Sequence, residues 1–280
     1  MILVTGATGN VGGEVLAQLR AEGHAVRVGV RRPAAAQVGG AQAIEFDITQ
    51  PGTFGPTLRG IERIFLMRPP AVADVRNSLF PFIDAARAAG VRQVVFLSLL
   101  GAEGKAFLPH TKVENYLKAA EMEYTLLRAG FFMQNLATAH RQEIRQQDEI
   151  VVPAGNGKTS FIDVADIAAV AALALTRTGH ANRAYDLTGA EALDYATVAA
   201  LMSLALGRPI VYRHPSLGRF LRHQRALGTG VAQSLLVAAI YTTTRLGMAG
   251  RVTGDVARLL GRPPRSLRAY LEENRGVWDK

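Results

Sequence analysis

The 280-residue chain contains no cysteine. Disulfides, thiolate nucleophiles and cysteine-based metal or iron–sulfur sites are therefore excluded. Lysine is scarce. It occurs only at positions 105, 112, 118, 158 and 280, so arginine carries most of the basic charge. Long apolar runs are missing too. The most apolar helical stretches, residues 164–175 and 234–241, are too short to span a bilayer. A first strand that begins at Ile2 leaves no room for a signal peptide. The expectation is a soluble, cytoplasmic protein with no membrane partner.

What is present is an ordinary globular balance, 49% hydrophobic and 20% charged, with ample material for a core. The net charge is +9. Basic charge can signal nucleic acid. Here the arginines are scattered, with loose groups at Arg219, Arg222 and Arg225 and at Arg262, Arg265 and Arg268. No zinc finger, RNA-binding signature or helix-turn-helix accompanies them. The composition points to a solvated arginine-rich surface plus a site for an anionic cofactor, not to a nucleic-acid partner.

Strand-like and helix-like segments alternate along the first half. "MILVTG", "AVRVGV", "AIEF", "IERIFLM", "RQVVFLS" and "YTLLRAG" read as strands. "VGGEVLAQLRAEG", "ADVRNSLFPFIDAARAAG" and "HTKVENYLKAAEM" read as helices between them. Successive βα units predict an α/β fold with a doubly wound parallel sheet of Rossmann type. After about residue 150 the pattern loosens. "FIDVADIAAVAALALT" reads as a buried helix with Asp163 or Asp166 near its start, and "RAYDLTG" as a strand. From Tyr195 the chain reads mostly helical, broken by "GRPI" and "GRPPRSL". The expected division is a dinucleotide-binding domain over residues 1–150 and a smaller, mostly helical C-terminal lobe over residues 151–280. The lobe is expected to interleave with the first domain in one compact unit and to serve the substrate.

"VTGATGNVGGEV" follows the first strand and opens the first helix, with Gly6, Gly9 and Gly12 spaced three and three. The chemistry needs glycine at these points. The chain turns sharply, its backbone approaches a pyrophosphate, and the helix sits close to the strand. The helix start offers free N–H groups and partial positive charge to the anion. A glycine triad alone is weak, but this one lies between a strand and an amphipathic helix.

An NAD site usually carries an acidic residue at the end of the second strand, where it binds the ribose diol. This chain has "VGVRRP", with Arg31 and Arg32 and no carboxylate. A guanidinium pairs with a 2′-phosphate. NADP(H) is thus favoured over NAD(H), against the alternative that both arginines are merely exposed. Asp47, in "FDIT", is placed to approach the adenine or to serve as a loop aspartate.

These residues resemble a family. "TGATGNVG", the "VRRP" strand end, "SLLGAE", "HTKVENYL", "YTLLRAGFFMQNL", "DVADIAAVA" and "LLGRPPRSLRAYLEE" together look like the NmrA-like atypical short-chain dehydrogenases/reductases, most like their NAD(P)H:quinone reductase type. The likeness runs from Met1 to about Glu273 and is loose over residues 216–248. It implies that Gly6, Thr8, Gly9, Asn10, Val11 and Gly12 hold the pyrophosphate and that Arg31 meets the adenosine ribose or its phosphate. It also implies that Met67 and Arg68 lie along the cofactor, that Ser98 belongs to the cofactor site, and that Gly130, Phe131, Phe132 and Asn135 flank the nicotinamide. Arg68 stands in "FLMRPP" where small polar residues are expected. It would bind an anionic substrate group or make a surface salt bridge.

Catalytic short-chain dehydrogenases open the corresponding helix with Tyr-x-x-x-Lys, in which the phenol protonates the carbonyl oxygen as hydride arrives. The resemblance puts His110 and Glu114 at those positions. None of the seven tyrosines is followed by lysine four residues later. Reducing a simple ketone makes an alkoxide of pKa about 16, comparable to water, and so calls for a positioned acid. Hydride addition to a quinone makes an aromatic oxyanion of pKa roughly 10, which water or histidine can protonate. Either Glu114 favours the imidazolium of His110 and makes it a proton donor near neutral pH, or His110 caps the helix and contacts the cofactor while Glu114 is a surface partner. No third residue of suitable spacing suggests a metal.

Three functions follow. The first is an NAD(P)H-dependent oxidoreductase acting on a small quinone-like or aromatic, electron-poor substrate, with Phe131, Phe132, Phe220 and Tyr241 able to line a flat apolar pocket or to pack the core. The second is a dinucleotide-binding redox sensor without catalysis. The third is a tailoring enzyme, reductase or monooxygenase, for an aromatic natural product. A homodimer is a possible assembly.

Overall fold

A computed structural model gives the structure of the protein, described here for residues 1–36 and 38–280. In chain order the elements are β1 (Ile2–Thr5), α1 (Asn10–Ala21), β2 (Val26–Val30), β3 (Gln42–Glu45), α2 (Phe54–Leu58), β4 (Arg63–Met67), α3 (Leu79–Ala88), β5 (Gln93–Leu99), α4 (Pro109–Ala119) and β6 (Glu123–Ala129). They continue with β7 (Phe131–Phe132), α5 (Gln134–Ala137), α6 (Arg141–Gln147), β8 (Glu149–Val151), β9 (Lys158–Ile162), α7 (Val164–Thr176) and β10 (Arg183–Leu187). The last are β11 (Ala192–Asp194), α8 (Tyr195–Leu206), β12 (Val211–Arg213), α9 (Leu217–Ala226), α10 (Val231–Arg245), α11 (Asp255–Leu260) and α12 (Leu267–Glu273).

The chain divides into two compact units. The first comprises Met1–Ala129 and Val164–Leu187, the second Gly130–Asp163 and Thr188–Lys280. The boundary therefore falls at Ala129, not near residue 150, and the chain returns to the first unit for one helix and one strand.

The first unit is a seven-stranded parallel sheet in the order β10-β6-β5-β4-β1-β2-β3. This is the Rossmann-type arrangement that the βα period predicts. Strands covered on both faces are predominantly apolar, and β1 and β2 are buried at every residue. One core cluster is centred on three phenylalanines: Phe82 lies 4.9 Å from Phe46 and 5.2 Å from Phe54 between ring centroids. Polar residues at the strand starts tie elements together. Arg63 donates to the Leu175 carbonyl at 2.5 Å and Gln93 to the Ala174 carbonyl at 3.2 Å, closing the free carbonyls at the end of α7. Buried Arg27 does the same for α2, through the Thr57 and Arg59 carbonyls.

Two helices begin later than expected. Residues 73–78 do not extend α3. The Asp74 carboxylate accepts from the Arg76 and Asn77 backbone N–H groups, an aspartate turn that competes with helix. Phe161 and Ile162 belong to β9 instead of α7, because β9 pairs with β11 on one side and β7 on the other.

The second unit holds the three-stranded sheet β11-β9-β7, the pair β12-β8 and the helices α5, α6 and α8–α12. Its core includes Phe161, Tyr195, Phe220, Tyr241 and Trp278. Asp163 is 1% exposed and fully engaged: it accepts from Gln134 at 2.7 Å and from Arg265 at 3.0 Å. The arginine of the "GRPPRSL" segment thus anchors the C-terminal helices to the end of β9. Among the described residues no helix is long and apolar enough to cross a membrane.

Candidate functional site

The strand order of the first unit reverses between β1 and β4. In open α/β sheets this switch point opens a crevice at the carboxyl ends of the strands. Thr5 holds the two strands together there. Its hydroxyl donates to the Phe65 carbonyl and accepts from the Met67 N–H, both at 3.1 Å.

The Gly6–Gly12 loop crosses this point. Gly6 has φ +68°, and a Cβ there would overlap the Met67 side chain. A Cβ at Gly12 would overlap the Gly6 carbonyl and lie 2.9 Å from the Ala7 nitrogen. The loop is closed by the Gly9 N–H donating to the Gly6 carbonyl at 2.9 Å. No side chain caps α1 at Gly9, and its first turn carries no acidic residue. Bare backbone and a helix start are what a pyrophosphate requires.

Beside the loop lies a cavity of about 520 Å³ lined by Thr8, Val30, Arg31, Arg32, Asp47 and Gln50 among others. Both arginines are exposed, and among the described residues neither makes a direct ion pair. Asp47 is held below the usual carboxylate range, first by hydrogen bonds from the Thr49 N–H and hydroxyl and further by the field of Arg31. The Thr49 bonds commit Oδ1 of Asp47 to its own turn, while the carboxylate still faces the cavity.

At the other side of the switch point stand Glu114 and His110, the residues that the resemblance sets at the Tyr/Lys positions. Glu114 is buried, 1% exposed, on the inner face of α4. Among the described residues it makes no hydrogen bond or ion pair with His110. Its Oε1 accepts from the Ser98 hydroxyl at 2.6 Å and from Arg128 Nε at 3.1 Å, and its Oε2 from Arg128 Nη2 at 2.6 Å. Ser98 and Arg128 are register partners on β5 and β6, so one face of the sheet presents both to the helix. Arg128 also reaches Glu103 at 3.5 Å and Asp186 at 3.9 Å. The hydrogen bonds that Arg128 donates to Glu114, and the charges of the three carboxylates, raise the Arg128 pKa above its already high value.

His110 is buried less deeply, at 9% exposure, and its ring lies against Phe96 at 6.1 Å between centroids. Its Nε2 faces Arg68 Nε at 3.5 Å. Burial first, and then the Arg68 charge, push its pKa down to about 4, and Glu114 only partly offsets them. This corrects the expectation of an imidazolium donor near neutral pH: the ring is neutral there because it is buried beside a cation. Among the described residues Arg68 makes no salt bridge either. It folds over its own loop and donates to the Pro69, Pro70 and Val72 carbonyls.

The first unit thus brings together Gly6, Thr8, Gly9, Asn10, Val11, Gly12, Met67, Arg31, Arg32 and Asp47 at the loop and cavity, and Arg68, His110, Ser98 and Glu114 at the β4, β5 and α4 ends. The Ser98 hydroxyl proton goes to Glu114. Gly130, Phe131, Phe132 and Asn135 belong to the second unit, where the two phenylalanines form β7 and are half-buried. Phe220 and Tyr241 are 0% and 2% exposed, packed edge to face at 6.2 Å, and the Tyr241 hydroxyl meets His140 Nε2 at 2.5 Å. Their expected role as substrate walls is replaced by core packing. Sequence reasoning missed Arg128. Its signal was an arginine within the apolar end, "LLRA", of a strand.

A family model described as the NmrA-like family matches residues 1–243. The chain belongs to the NmrA-like family. Among curated NmrA-like relatives it is 36% identical over 279 residues to the NAD(P)H azoreductase of Xenophilus azovorans, covering 96% of each chain. It is 28% identical over 275 residues to quinone oxidoreductase 2 of Escherichia coli, covering 95% of this chain and 96% of the other. Among solved structures it resembles the NADPH-dependent quinone oxidoreductase of Escherichia coli complexed with NADPH, at a TM-score of 0.88 and 27% identity over 98% of this chain and 99% of that one. It shares its fold with the Citrobacter triphenylmethane reductase, at a TM-score of 0.88, 24% identity and 97% and 98% coverage.

Proposed function

We propose that this chain is an NAD(P)H-dependent oxidoreductase that prefers NADP(H) and reduces a small quinone-like or aromatic, electron-poor acceptor without an acid of its own. The nucleotide cradle carries the cofactor reading: glycines whose Cβ atoms would collide with Met67 and with the Gly6 carbonyl, beside a cavity lined by two arginines. Backbone N–H groups of the loop and the start of α1 would hold the pyrophosphate. Arg31 and Arg32 would pair with a 2′-phosphate, which NADP(H) has and NAD(H) lacks. Bound there, the dinucleotide supplies a hydride equivalent.

The residues at the Tyr/Lys positions carry the acceptor reading. A neutral His110 offers no readily transferred proton above about pH 4. Glu114 is a carboxylate committed to Arg128 and Ser98, and serves to hold α4 against β5 and β6. A substrate reduced here must therefore tolerate negative charge until solvent protonates it. A quinone oxygen becomes a phenolate of pKa roughly 10 and does so, whereas a ketone oxygen does not. Relatives named for reducing quinones and azo compounds act on acceptors of the same electron-poor, conjugated kind.

The test is turnover of NADPH with a panel of quinones, azo compounds and simple ketones, with Gly9→Asp as control. Quinone and azo turnover well above the control, and no ketone turnover, is expected. Tight NADPH binding with no turnover of any acceptor would replace the enzyme with a sensor.

A further inference from the structure

The arginines are less scattered than their number suggests. Residues 195–254 contain seven arginines and no aspartate, glutamate or lysine. That stretch carries +7 of the net +9 and leaves the rest of the chain nearly neutral.

The same stretch exposes apolar surface. A helix packed on a core turns its apolar side chains inward. α10 buries Ala238 and Tyr241 but turns most of its larger aliphatic side chains outward. Its buried stripe is Ser234, Ala238, Tyr241 and Thr244, while Val231, Leu235, Leu236 and Ile240 are 60%, 52%, 61% and 39% exposed. Leu227 before it and Leu246 after it are exposed as well. α9 packs against α10, buries Phe220 and leaves Arg219, Arg222 and Arg225 exposed. Arg225 and Leu227 lead directly into the start of α10, and Arg245 and Leu246 close its end.

We propose that α9 and α10 form a docking surface for an anionic lipid bilayer, with the arginines on the headgroups and the α10 aliphatic side chains in the interfacial layer. Aliphatic side chains beside arginines, with no carboxylate among them, match a surface that is negative outside and apolar within. Single-stranded nucleic acid calls for exposed aromatics on which bases stack, and none of the described, exposed large apolar residues of this stretch is aromatic. A two-fold contact with a second copy would set this basic surface against itself. That no helix among the described residues is long and apolar enough to cross a bilayer does not bear on lying on one. The proposal stands apart from the nucleotide reading, because none of its residues belongs to the loop or the arginine cavity.

The experiment floats the full chain with phosphatidylcholine vesicles, with and without phosphatidylglycerol. Binding is expected only to the phosphatidylglycerol vesicles, and salt should weaken it. Arg219→Gln/Arg222→Gln/Arg225→Gln and, separately, Leu235→Ser/Leu236→Ser should each weaken it by more than about tenfold, with the melting temperature and NADPH affinity of the parent. If one variant melts lower, the other decides. No partition to phosphatidylglycerol vesicles at low salt overturns the proposal, as does binding that neither variant weakens. Duplex DNA binding, or a dimer, that the same substitutions abolish in the absence of vesicle binding also overturns it and gives the surface to that partner.

Discussion

Replacing Glu114 should cost the first unit more than any other single change at the candidate site. The carboxylate is 1% exposed and Arg128 is 13% exposed, so the pair is almost wholly removed from water. Removing one partner of a buried pair costs about 3–5 kcal/mol, because the other charge stays behind. Here Arg128 keeps Glu103 at 3.5 Å and Asp186 at 3.9 Å, which brings the cost to the low end. The Ser98 hydroxyl, left without its acceptor, adds about 1 kcal/mol. Glu114→Leu should therefore lose about 3–4 kcal/mol, a fall of roughly 10 °C in melting temperature for a unit of this size. Glu114→Gln keeps the shape and one acceptor and should lose about half of that. Glu114→Leu/Arg128→Leu should recover part of the loss, with a coupling of at least about 2 kcal/mol in the four-variant cycle. Thermal and denaturant unfolding of the four proteins measure this. A Glu114→Leu protein that melts within about 2 °C of the parent, or an additive cycle, refutes the structural role.

Other expectations concern the same unit. Arg31→Ala should raise the Kd for NADPH by about tenfold or more, the worth of one charge-assisted hydrogen bond, and leave that for NADH nearly unchanged. Titration of both cofactors checks it, and equal losses would contradict a 2′-phosphate contact. His110 has a folded pKa of about 4 against 6.5 in the unfolded chain, so the unfolded chain takes up its proton first. Its contribution is full above pH 6.5, declines as pH falls towards about 4, and amounts to about 3 kcal/mol. His110→Gln should flatten the stability profile over that window, and an unchanged slope would contradict the burial of a neutral ring. Gly12→Val should abolish NADPH binding, since its side chain would occupy the space of the Gly6 carbonyl. Retained affinity in a folded protein would show that the loop is not the cradle.

The sheet was legible in the sequence for a physical reason. Parallel strands covered on both faces need apolar runs, and "ILV" in β1, "IFLM" in β4 and "VVFL" in β5 supply them. The short strands of the second unit were not legible, because two or three residues such as Phe131–Phe132 or Glu149–Val151 carry no period of their own. The glycine loop was readable from its spacing together with its place between a strand and an amphipathic helix. The fate of Glu114 was not, since it depends on the register that sets Ser98 opposite Arg128. Helical spacing alone made His110 and Glu114 look like a pair, but each side chain found a stronger partner from another element. Phe220 and Tyr241 show the same limit: composition does not distinguish an aromatic that lines a pocket from one that fills a core.

The measurement that bears most directly on the account is a single turnover of NADPH carrying deuterium at the transferred position, mixed with a simple benzoquinone and followed by loss of nicotinamide absorbance. Direct hydride transfer without an enzymic acid predicts rapid oxidation, slower with deuterium, at a rate that His110→Gln leaves within a few-fold of the parent. No oxidation at saturating NADPH, or a rate that collapses in His110→Gln while cofactor affinity is retained, would contradict it.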